Sequence, residues 1–195
     1  MELAKINVKF FAADPHSPAL TDFIDLFHGW IQATDGIYHD VADYSHMQAG
    51  PGIVLVANDA NVSIDETDNR RGLLYSRKQP LEGTNAGKIL RAFGLALEFC
   101  KKLETDPSLA KKIRFRGDEA LFIVNDRLLA PNNEATFLAL KSDLETAAGS
   151  LYGGRSFTLN HNRDPRQRFS VTIRASESFD LDTLIANVGA AAQNH

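Results

Sequence analysis

The segment Gly52-Ile-Val-Leu-Val-Ala57 constrains this chain most. Ile53 to Val56 are apolar without alternation. Gly50-Pro51-Gly52 precedes them and cannot continue a helix, and the turn pair Asn58-Asp59 follows. A short apolar run so bounded reads as a strand buried on both faces. The reading therefore puts this strand at the centre of a sheet, with the other elements arranged around it.

Shorter signals fill in the rest. Lys5 to Phe11 alternates, with Ile6, Val8 and Phe10 on one side and Lys5, Asn7 and Lys9 on the other, the pattern of a half-buried strand. Ser17-Pro18 offers a hydroxyl cap and a proline for a helix whose stripe includes Phe23, Phe27 and Trp30. Ile37–Tyr44, Asn61–Asp65 and Leu73–Arg77 extend the apolar run into a meander. Thr84 caps a long helix carrying Ile89, Phe93, Leu97 and Cys100, in which Gly87 and Gly94 either weaken the helix or allow close packing. Ile113 and Phe115, then Gly117-Asp118, then Leu121 to Val124 read as a tight hairpin. Asn132 or Asn133 caps a third helix, closed by Gly153-Gly154. Ser156–His161 and Arg168–Ala175 form a second hairpin, and Asp180 caps a last helix.

These elements predict one α+β domain over residues 1–195, with a mainly antiparallel sheet of about eight or nine strands and four helices packed on it. The alternative is two subdomains dividing near Asp106. The 195 residues, 44% hydrophobic and 24% charged, suffice for a core without staples. A net charge of −4 argues against a nucleic-acid partner. Cys100 is the single cysteine, which excludes an internal disulfide and fits a reducing compartment. No apolar run has the length of a membrane span and no leader pattern opens the chain, so a cytoplasmic protein is expected.

Three clusters carry candidate chemistry. His39, Asp40, Asp43 and His46 precede the apolar strand. Of these, His39, Asp43 and His46 are candidate acid–base or metal groups of a hydrolase-like or metal-dependent enzyme, although no recognised metal motif is matched. Asp65 to Arg71 looks like a calcium loop but lacks glycine and glutamate at the required offsets, and reads as a solvated turn with self-paired charges. Arg70, Arg71 and Arg77 are candidates for a phosphate or carboxylate ligand, against the simpler reading of outward polar strand positions. Cys100 and His161 share parity with core residues and read as buried.

Asp40-Val-Ala-Asp-Tyr-Ser-His46 with Gly50-Pro-Gly-Ile-Val-Leu-Val56, and Arg114-Phe-Arg-Gly-Asp-Glu119 with Asn125-Asp-Arg-Leu-Leu-Ala-Pro131, resemble a family of uncharacterised bacterial proteins of similar length. The resemblance implies a bacterial, cytoplasmic, single-domain protein and carries no activity, cofactor or site residue. The function expected from the sequence is a soluble binding or interaction protein without catalysis and without a cofactor or bound metal. Two partners are in view: a small-molecule ligand, or a second subunit should helices cover only one face of the sheet.

Overall fold

In the computed structural model, which describes residues 1–109 and 112–192, β1 (Ile6–Ala12) is buried along its whole length. It pairs antiparallel with β5 (Gly72–Arg77) on one side and with β6 (Phe115–Val124) on the other. Beyond β5 lie β4 (Ala60–Asp65), β3 (Gly52–Ala57) and β2 (Tyr38–Tyr44). Beyond β6 lie β8 (Ser170–Ala175) and β7 (Phe157–His161). The order is β2-β3-β4-β5-β1-β6-β8-β7, every pairing is antiparallel, and strands from both sides of Asp106 join one sheet.

Four helices lie on one face: α1 (Asp22–Ala33), α2 (Asn85–Thr105), α3 (Glu134–Leu151) and α4 (Leu181–Ala192). Ile6, Val8 and Phe10 point to them, and Phe10 meets Phe93 of α2 edge-on. Trp30 of α1, Phe99 of α2, Tyr38 and Tyr75 form an aromatic chain under the same face. Three caps fall where the sequence places them. Thr84 accepts from the Gly87 N–H, Asn133 from Thr136 and Asp180 from Thr183. Gly94 serves packing, since a Cβ there would press on Val188 of α4. No described helix is long and apolar enough to cross a membrane.

Four expectations need correction. The apolar run Gly52–Ala57 is not central; β3 is second from the edge, and Val54 and Val56 are only half-buried. The centre is β1, and both of its faces are covered, not one. Gly117-Asp118 makes no turn. Such a hairpin needs positive φ at the glycine, and Gly117 is not among the residues that have it, so the chain runs on as one ten-residue strand. Its pairing with β1 shifts register between Phe10 and Ala12, and the missing side chain of Gly117 admits the Phe179 carbonyl. Finally, α1 starts at Asp22, not after Ser17-Pro18. The N–H groups of Asp22, Phe23 and Ile24 bond to the carbonyls of Ala19, Leu20 and Thr21, three residues back, while the Pro18 carbonyl accepts from Arg71 Nη1 at 2.6 Å.

Candidate functional site

The face of the sheet away from the helices carries no helix, yet its middle is buried. Pairing aligns its side chains in rows across the strands. One row runs Ser63, Leu74, Lys9, Leu121 and Thr172. Lys9 thus stands between two leucines, with 2% of its surface exposed. Its ammonium donates to Asp65 Oδ1 at 3.4 Å and lies 5.5 Å from the centre of the Phe11 ring. That is the single hydrogen bond of Lys9 Nζ among the described residues, leaving two N–H donors without a protein acceptor. Burial lowers the Lys9 pKa from its usual value, and the Asp65 charge opposes this. Asp65, 1% exposed, is anchored in turn: its two oxygens accept the Thr67 N–H at 3.4 and 3.1 Å.

A second buried charge lies beside the first. Glu119 of β6 is fully buried, and three guanidiniums reach it. Arg70 forks onto both oxygens at 3.0 Å each, Arg174 stands 3.2 Å away, and Arg116 3.6 Å while forked onto Asp118. Burial alone would raise the Glu119 pKa, but Arg70 and Arg174 outweigh it and hold the carboxyl below its ordinary range. Arg70 also lies over Phe11, its Cζ 3.7 Å from the ring centre. The loop that presents Arg70 turns through Asp68 and Asn69, both left-handed at φ 61° and 55°, a conformation asparagine and aspartate tolerate best.

Between this loop and the β7–β8 loop the face sinks into a pocket of about 160 Å³. Lys9, Leu74, Leu121 and Ile123 lie on its strand floor. Asp68 and Arg70 stand on one side and Arg168 on the other. Arg168 donates one hydrogen bond, from Nη1 to Asn125 Oδ1 at 3.1 Å. The arrangement offers buried and rim cations over an apolar floor, which suits holding an oxygen acceptor attached to an apolar body.

The sequence candidates are placed differently. His39, Asp43 and His46 are all exposed. His39 falls at a register shift on the edge strand β2, four places from β1. Asp43 accepts the Ser45 N–H at 2.8 Å, and the Ser45 hydroxyl, then that N–H, lower its pKa, with His46 adding a little. No three His, Cys, Asp or Glu side chains among the described residues are grouped to hold a metal ion. Arg70 and Arg71 come together with Arg116 around an open cleft of about 210 Å³ at the end of β1. Both are already engaged, Arg71 with Glu66 at 2.6 Å and with the Pro18 carbonyl. Arg77, at the other end of β5, donates to the Gln79 carbonyl at 2.8 Å and faces Asp59 at 3.4 Å. The Asp65–Arg71 turn is self-paired only in part: Glu66 pairs with Arg71 within it, while Asp65 and Arg70 pair with Lys9 and Glu119 on other strands. Cys100 is buried, with its thiol pKa pushed well up by burial. His161 packs between Phe137 and Phe169.

Lys9 and Glu119 are the residues that sequence reasoning missed. One signal for them existed. Phe11 breaks the alternation of β1, and a phenylalanine on the polar side marks that side as covered.

No family model matches the chain, no curated protein matches it in sequence, and no solved structure matches its fold, so the chemistry of the open face stands by itself.

Proposed function

We propose that this chain is a non-catalytic binding protein whose ligand sits on the open face of the sheet, in the pocket beside Lys9. One observation carries the proposal: a buried ammonium with two unpartnered N–H donors borders an accessible pocket. Buried donors are nearly always satisfied by protein or by ordered water, and a ligand acceptor in the pocket would replace water on these two. The helices cover one face and leave the other to a ligand or to a second subunit. Charge at the centre of the open face supports the ligand, because obligate subunit interfaces are apolar at their core. A free, buried Cys100 fits a reducing, cytoplasmic setting.

Titration of isotope-labelled protein with a library of small acids, amines, amides and sugars tests the proposal by amide chemical shift. The expected result is perturbation at Lys9, Leu121 and Thr172. Perturbation confined to other surfaces, or none, overturns it.

A further inference from the structure

We infer that the open-face pocket takes a small organic monocarboxylate with a compact apolar body, an inference that rests on the pocket being a binding site at all. The two unmet donors of Lys9 call for an oxygen acceptor, and an anionic one forms the stronger, charge-assisted bond. Asp65 does not fill this role. Asp65 accepts one Lys9 N–H at 3.4 Å alongside the Thr67 N–H, and the other two Lys9 donors stay without a protein acceptor. Arg168 adds a second cation at the rim, with one guanidinium hydrogen bond used among the described residues. Arg70 adds none, since Glu119 and the Phe11 ring hold its fork and its face.

Three features narrow the class. Leu74 and Leu121 flank Lys9 in register, and Ile123 continues the floor, so the group next to the carboxylate meets hydrocarbon. Asp68 stands exposed on the loop side and works against a second negative charge, which disfavours dicarboxylates and phosphate esters. A volume of about 160 Å³ is small for a ligand pocket, so the part of the ligand that enters it is compact. The same chemistry has two sources, a free acid or the carboxylate of a partner peptide.

The full chain is titrated with butyrate, isovalerate and benzoate, with the amide of each, with succinate and inorganic phosphate, and with a short peptide that has a free C-terminal leucine and no acidic side chain. Binding is read by calorimetry and by the shifts of the Lys9 and Thr172 amides. The monocarboxylates are expected to bind, and their amides to bind about tenfold more weakly or worse, as loss of a charge-assisted bond requires. Succinate and phosphate are expected to trail the monocarboxylates. Peptide binding tighter than free acid names a partner chain as the source, and the reverse order names a metabolite; both uphold the carboxylate. Arg168→Gln, at the rim, is expected to weaken acid binding severalfold without changing the melting temperature of the unliganded protein. Lys9→Met is expected to abolish it, and should that variant not fold, the amide series and Arg168→Gln decide. Amides binding as tightly as acids, or acids binding Arg168→Gln as tightly as the parent, overturn the inference. Amines, amides or sugars shifting Lys9 while acids do not overturns the ligand class and leaves the site standing. No probe shifting this face removes the site and the inference together.

Discussion

Ile6, Val8 and Phe10 on one side of β1, and Asn7, Lys9 and Phe11 on the other, are all buried, but they are covered in different ways. The first set packs under α2 in a continuous apolar core. The second has no helix above it. It is covered by neighbouring side chains, by two loops and by guanidiniums drawn to a buried carboxylate. Apolar cover is non-directional and tolerant of small adjustments, whereas charge cover depends on each partner being present. The two faces therefore have equal burial and opposite rules for repair.

Substitution tests that contrast directly. Phe10→Ala is expected to cost about 3–5 kcal/mol as a core cavity. Lys9→Ala is expected to cost a similar 3–5 kcal/mol for another reason, because it strands the Asp65 carboxylate. The two part company in the double variants. Lys9→Met with Asp65→Leu should recover most of the loss in urea unfolding, since apolar replacement of a buried pair is often neutral. If the double variant is no more stable than Lys9→Ala, the charges on the open face are not the source of its cost.

Glu119 gives an intermediate effect with a pH signature. Glu119→Gln is expected to cost about 2–3 kcal/mol at neutral pH, through weakened bonds to charged groups. The sign of the pH dependence follows from the depressed pKa. Folded Glu119 binds its proton less readily than the unfolded chain, whose value is near 4.5, so its contribution is complete above that value. It is lost as pH falls through the lower folded value. Stability curves of parent and Glu119→Gln should accordingly converge toward acid. Parallel curves would mean that the arginines do not hold this carboxyl.

The smallest effect belongs to the exposed edge. His39→Ala and His46→Ala should each change stability by no more than about 0.5 kcal/mol, as surface positions without special contacts do. Metal analysis of the purified protein is the companion measurement. A stoichiometric metal lost in His46→Ala would restore a catalytic reading of the edge strand and shift attention from the open face.

Much of the fold could be read locally. An unbroken apolar run located β3, alternation located β4 and the β7–β8 hairpin, and Thr84, Asn133 and Asp180 marked helix starts, because each signal lies within a few residues of its effect. The errors share the opposite property. Gly117 runs straight where it packs against the distant Phe179 carbonyl, and the Ser17-Pro18 segment is held by the distant Arg71 and not by a helix. The centre of the sheet was misplaced because an apolar run signals burial, not position in the strand order. The site was less legible than the fold. Arg70 meets Glu119 across 49 residues and Lys9 meets Asp65 across 56, and no spacing rule joins them. Histidines drew attention because their chemistry is visible in isolation, whereas a lysine in an alternating strand looks solvated until the far strands arrive.

The place of β1 also sets the order in which the sheet is able to assemble. The meander β2-β3-β4-β5 and the hairpin β7–β8 pair neighbours along the chain and close short loops. The pairings of β1 and of β6 with β8 do not: Asn7 pairs with Ser76, Val8 with Phe122 and Phe122 with Val171. Closing those long loops costs entropy before any contact repays it, so the local units gain structure cheaply and the joining strand does so last. Until that closure the inward edges of β5 and β6 stand unpaired, and β1 is the stitch that turns two separate ribbons into one sheet.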